Sequence, residues 1–358
     1  MQPTASEASE ADAESAARDL IDSIVEAWEE SALRLATREF NRQQRMLRGF
    51  QKRLTKTWGK TFRLLRALET ISFQAGAELN ANSTPATTPL RYVLLHLHAR
   101  AIRVFSEVRI LLESGYADGA HARWRTLHET AVVAVFLRKH GDEGALLYLE
   151  HEAIESCKAA IEYQKHAPAL GYQLPDAAEL AALQKQFDSL VAKHGGTFQT
   201  AYGWAAVLMN KPGRPGIEAL EVATGLDRLR PFYRMASHAV HANPKSFQFS
   251  LAQPDRELRV RLAGPGNAGL ADPAHCAAIS LTQVTAALLV ECESIDAIAL
   301  VKLLDTFVNQ IGEAAIAAHR HIESLAARDR EFLTNLAAVA AAVPCTGRKR
   351  KTRVTKRG

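Results

Sequence analysis

The chain has 358 residues, of which 47% are hydrophobic and 23% charged. These are the proportions of an ordinary globular protein, and the length suffices for one large or two modest domains. The net charge of +5 is misleading. Residues 347–358 hold Arg348, Lys349, Arg350, Lys351, Arg353, Lys356 and Arg357 without an acid, so the chain before them stands at −2. Four scattered cysteines, none in a C-x-x-C pair, argue against a disulfide framework or a zinc knuckle. An acidic start (Glu7, Glu10, Asp12, Glu14) is the reverse of a secretory signal. No stretch reaches the ~20 apolar residues of a membrane-spanning helix. The expectation is a cytoplasmic protein that does not meet the membrane.

Abundant alanine and leucine, with few β-branched runs, predict an all-α chain, mainly a helical bundle with a long N-terminal helical arm. Residues 1–12, rich in Ser, Ala and Glu, are expected to be disordered. Residues 13–79 lack proline and carry apolar residues at helical spacing: Ile21, Ile24 and Trp28, then Leu47, Phe50, Leu54, Trp58, Phe62 and Leu65. The charge of this arm is polarised. Its first thirty residues are acidic, whereas residues 34–66 carry eleven Lys or Arg against Glu39 alone. Arg45, Arg48, Lys52, Lys56 and Lys60 fall away from the apolar stripe. With Arg348, Lys349, Arg350 and Lys351 of the tail they are the candidate nucleic-acid contacts.

Residues 80–89 (NANSTPATTP) read as a linker. The main domain, 90–343, is predicted to hold helices at 90–114, 117–140, 142–166, 176–194, 198–209 and 225–242, punctuated by glycine and proline. At 246–263 the period changes. Phe247, Phe249 and Leu251, then Leu258, Val260 and Leu262, alternate with polar residues around Gln253-Pro254-Asp255, which predicts a small β-hairpin. Two long helices over 274–343 close the bundle, and 344–358 form a disordered basic tail.

Three constellations could carry chemistry. In Tyr233-Arg-Met-Ala-Ser-His-Ala-Val-His241, the side chains of Ser237, His238 and His241 share a helix face, with Arg234 two turns before His241. Such a face can bind phosphate, supply a general base or hold a metal. The plainer reading is a helix C-terminus before Asn243-Pro244, where histidine suits the macrodipole. In His121-Ala-Arg-Trp-Arg-Thr-Leu-His-Glu129, Arg125 and Glu129 form an i,i+4 pair that becomes a ligand-site candidate if it faces inward. The third set is Tyr148, His151, Glu152 and Glu155. A di-iron bundle needs two E-x-x-H motifs, and no histidine here has a glutamate three residues earlier. Neither His96-x-His98 nor His319-x-His321 chelates easily from a helix. No metal or cofactor is therefore assigned. Hydrolase elbow, Walker loop and dinucleotide fingerprint are all missing from the sequence.

The run Gly115-Tyr-Ala-Asp-Gly-Ala-His-Ala-Arg-Trp-Arg-Thr-Leu-His-Glu129 approximates the order G-x-x-x-x-A-R-x-x-x-R-x-x-x-E. It is followed by Tyr148, Trp204, Gly225-Leu226 and Tyr233-x-x-x-Ser237-x-x-Val240-His241. In this the chain resembles the bacterial family called domain of unknown function 5677, over about residues 85–300. The resemblance implies site candidates and no activity. A more distant likeness is to HEPN helical domains, whose ribonuclease members place an arginine four to six residues before a histidine. Arg234 and His241 fit that spacing, and Met235 departs from the polar residue usual there. This likeness implies a metal-independent ribonuclease of defence or toxin type, in which His241 acts on the 2′-hydroxyl and Arg234 holds the phosphate. Three readings stand at this point. The leading one is a non-enzymatic interaction module that self-associates through the arm. The others are the RNA-directed ribonuclease, and a small-ligand or metal pocket built from Arg125, Glu129, His151 and His241.

Overall fold

The computed structural model describes residues 5–81, 88–209, 213–241, 244–245, 250–252, 263–290 and 294–342. Among these residues the chain is all-helical. The expected hairpin at 246–263 and the tail at 344–358 fall almost wholly outside them, and the described parts contain no strand.

Helix α1 spans Ala5–Ala81. It takes in residues 5–12 of the segment expected to be disordered, whose alanine and glutamate favour helix once one is propagating; residues 1–4 lie outside the described residues. The chain divides into two compact units, Met1–Lys56 and Thr57–Gly358. The division falls inside α1 and not at the 80–89 linker. In the first unit α1 is a lone helix, and every side chain from residue 13 to residue 38 is exposed.

In the second unit the rest of α1 is a core element. Trp58, Phe62, Leu65, Leu68 and Ala75 are buried, and the Trp58 indole N–H donates to the Asn267 carbonyl at 2.9 Å. Helix α2 (Pro89–Glu113) opens on a Thr88 cap, whose hydroxyl accepts from the Arg91 N–H, with Pro89 at the first helical position. Arg109 of α2 bridges Glu69 (2.5 Å) and Glu113 (3.1 Å), and Glu113 also takes Arg66.

Helix α3 (Ala117–His166) is two helices joined at Gly141, which sits at φ 63°, ψ −150°. Only glycine adopts that backbone readily. Immediately after it, Asp142 Oδ1 accepts the free N–H of Leu90 at the start of α2 (2.9 Å), which ties the bend to the neighbouring helix. Helices α4 (Ala177–His194) and α5 (Gly203–Met209) pack on α3, as do α6 (Ile217–Thr224) and α7 (Arg230–Val240). Helix α8 (Ala271–Leu289) lies against α2, α3 and α9 (Ile295–Ala342). It is uncharged after Asp272 and apolar nearly all round, the pattern of a central helix. Its Ala277, Leu281, Val284 and Leu288 are fully buried. Among the described residues no helix is long and apolar enough to cross a membrane.

Candidate functional site

The first half of α3 carries His121, Trp124 and His128 at spacings of three and four, so all three share the face that α7 and α8 cover. The rings form a continuous stack. His121 and Trp124 lie 5.3 Å apart, Trp124 and His128 5.3 Å, and His128 and Tyr233 of α7 5.8 Å. The Trp124 indole N–H donates to Ser280 Oγ of α8 at 3.0 Å.

At one end of the stack sits a polar cluster. Glu221 of α6 is fully buried. One of its oxygens accepts from His128 Nε2 at 2.9 Å and the other from Arg230 at 2.7 Å. Arg230 also reaches Glu218, at 2.6 Å, nearer the surface. A buried carboxylate is tolerated when each oxygen has a donor, as here. Beside this group the Tyr233 hydroxyl donates to Glu129 Oε1 at 2.5 Å, and Arg125 approaches the same oxygen at 3.2 Å. The Arg125 and Arg230 guanidinium groups lie 4.7 and 5.3 Å from the centre of the Tyr233 ring. Burial, and then the bond to Glu129, push the Tyr233 phenol up to about 12. Burial and the same carboxylate raise Tyr202 as well. At neutral pH both phenols stay protonated, and neither can serve as a base.

At the other end, the start of α3 and the end of α7 enclose a cavity of about 420 Å³ bordered by Asp118, His121, Met235, His238, His241 and Ser250. Asp118 accepts from Ser250 Oγ (2.6 Å) and from the Leu251 N–H (2.8 Å), so it anchors the 250–252 segment. His121 is buried, and burial lowers its imidazole to about 4, which leaves the ring neutral. Its Nε2 has no hydrogen-bond partner among the described residues.

The structure sorts the sequence-derived candidates into three places. Arg125 and Glu129 come together with Tyr233 in the polar cluster. His238 and His241 border the cavity, with His241 exposed at the C-cap of α7, its N–H bonded to the Ser237 carbonyl at 3.1 Å. Ser237 bonds back to Tyr233 O within α7, and Arg234 is exposed on the same helix. Tyr148, His151 and Glu155 belong to a separate neighbourhood on the second half of α3. There His151 Nε2 meets the Thr200 carbonyl (2.9 Å), Tyr148 packs edge-on against Trp204, and Glu155 pairs with Lys158. Of the basic candidates, Arg45, Arg48, Lys52, Lys56 and Lys60 are exposed on α1, and Arg348, Lys349, Arg350 and Lys351 lie outside the described residues. No group of three or more potential metal ligands occurs among the described residues.

Sequence reasoning missed Glu221 and Arg230 altogether. The available signal was an acid at the i+3 position from Glu218 on a short apolar helix, with an arginine nine residues on. That spacing is common on exposed helices, and only the crossing of α3, α6 and α7 brings His128 to Glu221.

Fold and site define an all-α protein in which one bent helix carries a buried aromatic and ionic ladder. Residues 91–258 match the model of a family described as a family of unknown function (DUF5677). The match is shorter at both ends than the 85–300 of the sequence resemblance, and it does not extend to the HEPN domains. No curated protein and no solved structure matches the chain.

Proposed function

We propose that the protein is a non-enzymatic interaction module that self-associates through the first unit of α1. One observation carries this reading: a lone helix presents a run of large apolar side chains to solvent. Trp28 is 67% exposed, Leu33 67%, Leu35 63%, Leu20 62% and Ile21 58%. Single exposed hydrophobes need no explanation, but a continuous run along one element marks a contact surface. A helix of some 44 residues is about 66 Å long and 10–12 Å wide. Covering one side of it removes on the order of 700 Å² per partner, close to the ~800 Å² of a standard stable interface. The second unit supports the same reading. Its two fully buried ionisable groups, Glu221 and His128, are engaged with each other and with Arg230, an arrangement suited to holding three helices in place.

Light scattering of the full chain over a concentration series tests this. The expected result is a dimer that a Trp28→Gln, Leu35→Gln variant converts to monomer, while the unfolding midpoint of the second unit stays put; glutamine keeps the helix propensity. A wild-type chain that stays monomeric throughout, or a variant that self-associates as before, would overturn the proposal.

A further inference from the structure

We infer that two copies of the arm pair antiparallel, with the twofold axis near residues 33–34. This rests on the self-association proposed above and adds its direction and register. Residues 1–33 contain nine acids and one base, Arg18, whereas residues 34–56 contain eight bases and one acid, Glu39. Parallel arms would set acid beside acid and base beside base along their whole length. Antiparallel arms set every acidic stretch beside a basic one.

Local pairing does not use these charges up. Within the arm the ion pairs are Glu14–Arg18, Glu30–Arg34 and Glu39–Arg42, all one helical turn apart. Among the described residues, Asp22, Glu26 and Glu29 on the acidic side have no ion-pair partner, nor do Arg38, Arg45 and Arg48 on the basic side. With the axis at 33–34, Asp22 falls opposite Arg45 and Glu29 opposite Arg38 of the second copy, and Glu26 comes next to Arg42.

The same register matches the apolar residues. At the same height along the helix axis Ile21 comes opposite Met46, Leu20 opposite Leu47, and Trp28 beside Phe40, while Leu35, two turns from Trp28 on the same face, comes close to its own counterpart. Met46 and Phe40 are 63% and 57% exposed, so both halves of the arm offer uncovered apolar surface. Burial of large side chains is therefore met in the register that the charges select, and the charges alone set the direction. Opposite-charge juxtaposition sets orientation more than affinity, because the like-charge alternative is penalised along the whole interface.

The test uses the full chain with a genetically encoded nitroxide residue at position 14 or at position 33, which leaves the native cysteines alone. Pulsed electron resonance then measures the distance between the two labels in the dimer. Antiparallel pairing predicts a short distance at position 33 and about 58 Å at position 14, from thirty-nine residues at 1.5 Å each. It also predicts a dimer weakened at least about tenfold between low and high salt. Asp22→Lys with Glu26→Lys and Glu29→Lys should weaken it similarly, because base would then face base. A dimer with short distances at both positions, strengthened by salt, is parallel and overturns the inference while leaving self-association standing. A chain that is monomeric under all conditions overturns both. So does a monomer whose basic half instead retards a single-stranded RNA oligonucleotide, since the stripe would then serve a nucleic acid.

Discussion

Replacing Glu221 by alanine should be among the most destabilising single changes in the second unit. The carboxylate is fully buried and holds His128 Nε2 on one oxygen and Arg230 on the other. Without it, the His128 nitrogen is left in the core without an acceptor, which costs about 1–3 kcal/mol. Arg230 keeps Glu218 but loses its buried partner, and a charged hydrogen bond contributes about 1.5–3 kcal/mol. The combined loss, about 3–5 kcal/mol, is that of breaking a buried ion pair from one side. For a unit of this size it corresponds to a fall of roughly 6–10 °C in Tm. Urea unfolding followed by tryptophan fluorescence is a suitable assay, because Trp58, Trp124 and Trp204 are buried in the second unit while Trp28 is already exposed. Glu221→Gln, which can satisfy only one of the two donors, should lose about 2 kcal/mol. The apolar combination His128→Leu, Glu221→Leu, Arg230→Met should fall much closer to wild type than the single alanine change, because no group is then stranded. If Glu221→Ala unfolds within about 0.5 kcal/mol of wild type, the cluster does not hold these helices together and the reasoning is wrong.

Two further outcomes follow from the same structure. His98 and His121 are buried, and burial lowers both to about 4 from an ordinary value near 6.5. The unfolded chain therefore binds protons that the folded one refuses, so their effect on stability is absent above pH 6.5 and destabilising as pH falls from 6.5 towards 4. The loss should be on the order of a few kcal/mol, and a His98→Gln, His121→Gln variant should show a flatter Tm profile across that window. Gly269→Ala should be more damaging than Gly171→Ala. Both glycines have φ near +70°, which costs an alanine about 1–2 kcal/mol. The new Cβ at 269 would also lie 2.3 Å from the Leu251 carbonyl, whereas nothing lies within 4 Å at 171. Equal urea midpoints for the two variants would show that the 250–252 segment yields without resistance.

Much of the helical plan could be read from local chemistry. The expected breaks at 115, 141, 171 and 195 all fall at glycines of positive φ, and the apolar, charge-free run after Pro273 is the buried helix α8. What could not be read depends on contacts distant in sequence. Nothing local marks residues 57–81 as core and residues 13–56 as arm, because both show the same helical period; a hydrogen bond between residues 209 apart, Trp58 to Asn267, is what distinguishes them. The glycines and prolines of residues 211–216 (KPGRPG) end the helix expected at 198–209, and no helix was expected before 225, so α6 and with it Glu221 went unread. Of the candidate site, the Arg125–Glu129 pair was visible as an i,i+4 spacing. Its partner Tyr233 lies 104 residues away and meets it only because α7 crosses α3.

The bend at Gly141 has a consequence for how this sequence can vary. In an unbroken helix, inserting one residue turns everything downstream by about 100° in azimuth, so a single phase governs the whole length. Here the two halves of α3 answer to different neighbours: Ser280, Glu221 and Tyr233 before the glycine, Trp204, Thr200 and Glu150's partners Lys193 and His194 after it. The break uncouples their phases. Each half can drift, lengthen or repack under its own constraints while Asp142, clamped to the start of α2, keeps the joint where it is.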